Sequence, residues 1–69
     1  MGKRIDVKHR LKFAKMLVVA RENKRLTQKA LAQLIGVSRV TVISWEMVRN
    51  YPEIGNIGKL EEVLGVKFD

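Results

Sequence analysis

The chain has 69 residues, with no cysteine, one histidine, and 14 Lys and Arg against seven Asp and Glu. This length allows one small domain, and the lack of cysteine excludes a disulfide framework and a thiolate metal site. No apolar run approaches the roughly 18 residues of a membrane span, and the charged start lacks the apolar segment of a secretory signal peptide. We therefore expect a cytoplasmic protein with no metal, no cofactor and no membrane partner.

The net charge of +7 is unevenly distributed along the chain. Residues 1–29 contain ten basic and two acidic side chains, whereas residues 30–69 contain four basic and five acidic ones. A positive charge concentrated on one part of a small domain is typical of proteins that bind a polyanion. Binding to an acidic protein surface would also fit, so composition alone leaves the partner open.

The first predicted helix covers residues 7–23. Asp6 can cap it, because a carboxylate at that position accepts the unpaired N–H groups of the first turn. Strong helix formers fill the segment, and apolar residues recur at helical spacing. The predicted buried stripe consists of Phe13, Leu17 and Ala20, widened by Leu11, Met16 and Val18.

Two short helices are predicted next, separated by a glycine. Thr27 can cap a helix that ends at residue 34 or 35, and Gly36 can take the left-handed conformation that ends it. Ser38 can then cap a third helix that runs to about residue 47. The predicted apolar side chains are Ala30, Leu31, Leu34 and Ile35 in the second helix, and Val42 and Trp45, with Thr41 beside them, in the third.

A fourth helix is predicted over residues 53–64, after the break at Pro52. Its glycines, Gly55 and Gly58, each cost about 1 kcal/mol relative to alanine, so this helix is weak. Gly65 ends it, and Val66 and Phe68 are expected to fold back onto the core. Its apolar residues are Ile54, Ile57, Leu60, Val63 and Leu64. The sequence thus predicts an all-α fold of four or five short helices.

Residues 26–46, LTQKALAQLIGVSRVTVISWE, resemble the helix-turn-helix of the Cro/cI repressor family, also called the xenobiotic-response-element family. The LTQ opening, the A-x-x-x-G-V-S turn and the final W-E carry the resemblance, which extends over residues 11–66. It implies a compact lambda-repressor-like DNA-binding domain over residues 11–66, with the helix-turn-helix unit at 27–46. Residues 1–10 would be a basic arm or an extension of the first helix.

The resemblance also implies a role for individual residues in binding double-stranded DNA. The third helix would lie in the major groove and the second would cross the backbone. Base edges would be read by Ser38, Arg39, Val40, Ile43 and Ser44. Phosphates would be held by Thr27, Gln28, Lys29, Arg49 and Asn50. A structural bridge would join Arg21 in the first helix to Glu46 at the end of the third.

The outward face of the third helix is unusually apolar for a reading helix. At 100° per residue, Val40, Ile43, Ser44 and Met47 face away from Val42 and Trp45, and Arg39 lies at the edge. Apolar side chains there would contact thymine methyl groups. Two alternatives stay open: Ile43 or Met47 packs under the following loop, or the face binds protein.

Two positions depart from the family pattern. Glycine often follows the W-E-x stretch, whereas Met47-Val48 stand here, so we expect the loop to take another path. That departure leaves the phosphate roles of Arg49 and Asn50 open. Glu53 follows Pro52, where an acid would repel a phosphate that it faced.

The family resemblance implies a transcriptional regulator, in the repressor class, that acts at the nucleoid of a bacterium or phage-type host. Family members generally bind as homodimers on two half-sites, and the C-terminal helix with residues 66–68 is the expected self-contact. The alternative is a protein-interaction module such as an antitoxin. Nothing in the sequence points to an enzyme, because no nucleophile and base form a recognisable constellation.

Overall fold

The computed structural model describes residues 7–68, which form four α-helices. They are α1 (Val7–Asn23), α2 (Gln28–Ile35), α3 (Arg39–Glu46) and α4 (Ile54–Leu64), and the described part of the chain contains no strand. The all-α prediction is confirmed. The predicted cap Asp6 lies outside the described residues, while residues 7–10 of the predicted arm belong to α1.

One face of α1 forms the centre of the core. Phe13, Ala14, Leu17 and Ala20 are buried. The predicted stripe is too wide at one edge, because Leu11 is 42% exposed. The core continues through α2, α3, α4 and the chain end, and its buried members there are Leu31, Ala32, Ile35, Val42, Trp45, Leu60, Leu64 and Phe68.

Local capping sets the ends of α2 and α3. The Thr27 hydroxyl oxygen accepts a hydrogen bond from the Ala30 N–H at 2.9 Å, and the Ser38 oxygen accepts one from the Thr41 N–H at 3.1 Å. Between them Gly36 has φ +87°, and its N–H donates to the Ala32 carbonyl at 2.8 Å. Because glycine adopts a positive φ without steric cost, α2 can end there and the chain can turn at once into α3.

The chain after α4 folds back onto α1, as predicted. Gly65, at φ +69°, ends the helix, and the Phe68 N–H donates to the Glu61 carboxylate at 3.0 Å. The Phe68 ring is 5% exposed and lies 4.8 Å from the Phe13 ring, centroid to centroid. At the other end of α4, Ile54 is 87% exposed and therefore lies outside the core.

Within residues 7–68, no helix combines the length and the apolar character needed to cross a bilayer.

The loop after α3 contains a valine in the left-handed conformation. Val48 has φ +62°, its N–H donates to the Trp45 carbonyl at 3.3 Å, and the Arg49 N–H donates to the Ser44 carbonyl at 2.9 Å. This pair of bonds is the Schellman ending of a helix, which normally has glycine where Val48 stands. Val48 thus ends α3 in the left-handed conformation, at the position where the resemblance led us to expect glycine.

Replacing Val48 by asparagine is expected to stabilise the domain. Left-handed backbone costs an L-residue about 1–2 kcal/mol, and asparagine tolerates it better than a β-branched residue does. We expect the free energy of unfolding to rise by about 1 kcal/mol in urea titrations followed by circular dichroism. Val40→Asn, at an exposed helical position, is the matched control and should give no gain. A loss of stability in Val48→Asn would show that valine is not strained there.

Candidate nucleic-acid interface

The sharp turn between α2 and α3 creates the candidate interface. Three residues, 36–38, connect the two helices, and Val42 and Trp45 of α3 lie in the same core cluster as Leu31 and Ile35 of α2. Two short helices joined in this way leave one face of the second helix free to enter a groove.

The outward face of α3 has three predicted base-reading residues at its start. Ser38 and Arg39 are exposed, and Val40 is 71% exposed. The Ser38 hydroxyl also lies 2.9 Å from the Thr41 hydroxyl, so it is shared between the cap and that contact. An exposed cation beside an exposed apolar side chain can bind both a hydrogen-bond acceptor and a methyl group.

Further along α3, the predicted reading residues are less accessible. Ile43 and Ser44 are half-buried, and the Ser44 hydroxyl donates to the Thr41 carbonyl at 2.7 Å. With its proton bonded to the backbone, Ser44 can offer only its oxygen as an acceptor. Met47 is 55% exposed and therefore extends the apolar surface.

A hydrogen-bond network joins α1, the start of α2 and the end of α3. Arg21 Nε donates to Glu46 Oε2 at 2.7 Å and Nη2 donates to Oε1 at 3.2 Å, while Nη1 donates to the Leu26 carbonyl at 2.8 Å. Gln28 Nε2 also donates to Glu46 Oε1, at 2.9 Å. The structure thus brings the predicted bridge partners together and adds Gln28 to them, which the sequence did not indicate.

The network is largely shielded from solvent. The side chains of Arg21 and Glu46 are 12% and 6% exposed. The hydrogen bond from Arg21 to the Glu46 carboxylate raises the pKa of the guanidinium further above its already high ordinary value, against the effect of burial. Arg21 therefore stays charged at neutral pH, and both charges of the pair are compensated within the domain.

The remaining predicted phosphate residues lie at the two ends of the helix-turn-helix. Thr27 and Lys29 are exposed at the start of α2. Arg49 and Asn50 are exposed after α3, and their backbone N–H groups both donate to the Ser44 carbonyl, at 2.9 and 3.3 Å. The loop is therefore tied to α3, which fixes the point from which these two side chains emerge.

Tyr51 holds the end of that loop against α1, a contact that the sequence analysis missed. Its hydroxyl lies 3.0 Å from His9 Nε2, and its ring centroid lies 5.0 Å from that of Phe13. Burial raises the pKa of the Tyr51 phenol above its ordinary value, so the hydroxyl keeps its proton at neutral pH. No signal in the sequence pairs positions 42 residues apart.

Among residues 7–68, no three His, Cys, Asp or Glu side chains are grouped so that they could hold a metal ion.

Comparison with known families decides the class of this unit. The helix-turn-helix family model HTH_3 matches residues 19–69, which include all of α2 and α3. The chain belongs to the HTH_3 helix-turn-helix family. The resemblance drawn from residues 26–46 is thereby confirmed at the level of the family. Comparison with curated protein sequences gives no significant match.

Solved structures share the fold of this HTH_3 domain. An HTH_3-family transcriptional regulator from Vibrio cholerae is 30% identical with a TM-score of 0.81, over 93% of this chain and 36% of that one. The hypothetical transcription factor NHTF from Neisseria is 29% identical with a TM-score of 0.81, over 99% of this chain and 79% of that one. Apo-HppE is 30% identical with a TM-score of 0.76, over 84% of this chain and 33% of that one.

This HTH_3 domain is much shorter than two of these proteins. The chain spans only 33% of apo-HppE and 36% of the Vibrio cholerae regulator. What is shared with both is therefore the helical domain, and the rest of those proteins has no counterpart in the 69 residues.

Proposed function

We propose that this HTH_3 domain binds double-stranded DNA and regulates transcription, with α3 in the major groove. The observation that supports this most is the α2–turn–α3 unit itself, capped at both helix starts, with Arg39 and Val40 exposed where α3 begins. The domain boundaries at 11–66, and residues 1–10 as a basic arm or an extension of the first helix, are part of the proposal; the described residues 7–10 belong to α1.

The start of α2 would hold the DNA backbone. Gln28 has two amide hydrogens, of which one bonds Glu46, so the other remains for a phosphate oxygen. Thr27 and Lys29 flank it, and the partial positive charge of the helix N-terminus attracts the same phosphate. Beyond α3, Arg49 and Asn50 would contact a second stretch of backbone. These contacts position the domain on DNA without reading its sequence.

The first turn of α3 would read bases. Arg39 can bind a guanine through two hydrogen bonds, which is worth about 1–3 kcal/mol of discrimination. Val40 and Ile43 would contact thymine methyl groups, with Ser38 and Ser44 as polar contacts. The reading surface is therefore expected to favour sites that combine guanine and thymine in the major groove.

Measuring affinity for random duplex DNA across salt concentrations tests the proposal. The logarithm of the binding constant should fall linearly with the logarithm of salt concentration, by about 0.9 per phosphate neutralised. Absence of measurable affinity at low salt would refute DNA binding. Selecting bound duplexes from a random pool would then give the sequence, and half-sites about one helical turn apart would indicate a dimer.

Arg39→Ala is expected to relax sequence preference more than it weakens non-specific binding. Loss of two bonds to guanine should cost about 1–3 kcal/mol on the selected site and much less on random duplex. Anisotropy titrations on both duplexes measure the difference, and Lys59→Ala, an α4 lysine, is the charge-matched control. Equal losses on the two duplexes would contradict base reading by Arg39.

Gln28→Ala is expected to weaken binding to all sequences by a similar factor. The lost phosphate bond is charge-assisted, so the reduction should be about tenfold. Selection from the random pool should return the same preferred sequence as for the wild type. A changed preference would show that Gln28 reads a base instead.

Repression by operator occupancy and homodimer formation belong to the same proposal, as does a place at the nucleoid. Phe68 is buried in its own domain, so it is not available as a self-contact. Ile54, at the start of α4 and 87% exposed, is the better candidate. Analytical ultracentrifugation of Ile54→Asp against the wild type, with and without the selected duplex, tests this interface.

A protein-interaction module, such as an antitoxin, is the second candidate. Val40 and Met47, which are 71% and 55% exposed, give α3 an apolar outer face that a protein could also cover. The salt titration separates the two functions, because a module that binds only protein has no affinity for random duplex.

A further inference from the structure

The side of α1 that faces away from the core is both basic and apolar. It carries Lys8, Leu11, Lys12, Lys15 and Val19, which we call the α1 outer surface. All five are exposed, Val19 by 56% and Leu11 by 42%. Isolated exposed valines and leucines are common and need no partner. What distinguishes this surface is the shape around Val19.

Two shallow grooves run along the two sides of Val19. One, of about 380 Å³, is lined by Leu11, Ala14, Lys15, Val18, Val19 and Glu46. The other, of about 340 Å³, is lined by Lys15, Met16, Val19, Ala20, Asn23 and Val66. Lys15 and Val19 line both grooves, so they form the ridge between them. Side chains of a partner could therefore enter on either side of one valine.

The charge on this surface is positive and lacks internal compensation. Lys8, Lys12 and Lys15 follow one another at helical spacing, and none forms an ion pair within residues 7–68. Glu46, in the first groove, is already neutralised by Arg21. Glu22 lies three positions after Val19, one turn further along α1. A partner that fits must bring negative charge.

We propose that the α1 outer surface docks an acidic amphipathic helix of another protein. Apolar side chains of that helix fill the two grooves beside Val19, and its carboxylates pair with Lys8, Lys12 and Lys15. From residue 8 to residue 19, α1 extends roughly 16 Å, which three turns of a partner helix match. Arg39 and Val40 line neither groove, so the docked helix leaves the α3 reading face free.

Other occupants fit this surface less well. A second copy of the chain would bring three more lysines against the first three, and like charges across an interface are costly. A DNA backbone would satisfy the lysines but would leave Leu11, Val19 and both grooves without an apolar partner. An acidic helix satisfies the charge and the grooves together.

A peptide selection on the isolated domain, without DNA, tests the proposal. The probe is a display library of 16-residue helical peptides in which Glu, Lys, Leu, Ala and Ser vary freely. Enriched peptides should carry an apolar stripe at i, i+3 or i+4, and i+7, flanked by glutamates. In anisotropy titrations, Lys15→Glu and Val19→Asp should each weaken the best peptide by about tenfold or more.

Matched variants separate this surface from the rest of the domain. Leu34→Asp changes an aliphatic side chain of similar exposure (58%) on α2, and Lys59→Glu reverses a charge on α4. Both should bind the peptide within about twofold of the wild type, because neither residue touches the α1 grooves. The double variant Lys12→Glu/Lys15→Glu should bind a peptide in which lysines replace the glutamates. Circular dichroism checks that every variant is folded.

Several outcomes would overturn the proposal. One is a selection that enriches no peptide, and another is an enriched peptide that binds Val19→Asp as tightly as the wild type. A third is a dimer of this chain that the Val19→Asp substitution dissociates. A loss of duplex affinity in Lys15→Glu as large as that in Arg39→Ala would assign the surface to DNA. Because the selection contains no DNA, its failure is independent of the proposed function.

Discussion

Replacing Trp45 by alanine is expected to lower the free energy of unfolding by about 3–5 kcal/mol, the usual cost of a large aromatic truncation in a core. Trp45 is 3% exposed and belongs to the cluster that joins all four helices. A domain of 69 residues has a total stability of only about 3–10 kcal/mol. Much of the Trp45→Ala population should therefore be unfolded at physiological temperature.

Circular dichroism at the helical band is the appropriate readout, because Trp45 is the only tryptophan and its fluorescence disappears with it. Val40→Ala is the matched control on α3: it shortens a side chain that is 71% exposed and should change stability by no more than about 0.5 kcal/mol. Trp45→Phe should retain most of the stability, because a large ring still fills the site. An unchanged urea midpoint for Trp45→Ala would mean that this side chain is not part of the core.

The helix-turn-helix unit could be predicted almost residue by residue because its boundaries depend on near neighbours. Thr27 caps through a residue three positions on, Ser38 does the same, and Gly36 ends α2 through its own backbone freedom. Such contacts do not need the rest of the fold. The buried positions of α3, Val42 and Trp45, follow in turn from the helical period.

The loop after α3 could not be predicted, because its residue types argue against its backbone. A β-branched residue disfavours positive φ, yet Val48 adopts it. The surrounding structure imposes that conformation: the Schellman bonds to Ser44 and Trp45 hold one side, and Tyr51 packs on Phe13 at the other. Such constraints arise only once distant segments have come together.

The bridge between Arg21 and Glu46 could be predicted, but the hydrogen bond that joins Gln28 to it could not. The resemblance implied a bridge between Arg21 and Glu46 and, separately, a phosphate contact by Gln28. Only the structure links the two, because Gln28 donates to the same Glu46 carboxylate as Arg21, across 18 positions of sequence. Glu46 therefore has two roles: it stabilises the domain by pairing with Arg21, and it holds the Gln28 amide in position.

Glu46→Ala is expected to lower the free energy of unfolding by about 3 kcal/mol, because removing one partner of a shielded pair leaves the other charge uncompensated. Arg21, whose side chain is 12% exposed, would lose two of its three hydrogen bonds, and Gln28 would lose the acceptor that holds its amide. Urea titration measures the first effect. Anisotropy titration with random duplex should show weaker binding as well. Without Glu46, the Gln28 amide is no longer held with its second hydrogen available to a phosphate.

The double variant Arg21→Leu/Glu46→Leu separates the effect of Glu46 on stability from its effect on DNA affinity. Replacing both charges by apolar side chains removes the uncompensated guanidinium, so much of the lost stability should return. DNA affinity should not return with it, because Gln28 still lacks its acceptor and must lose rotamer freedom to bind a phosphate. Recovery of stability and affinity together would show that the carboxylate only neutralises Arg21. Recovery of stability alone would show that the carboxylate also positions the phosphate-binding amide.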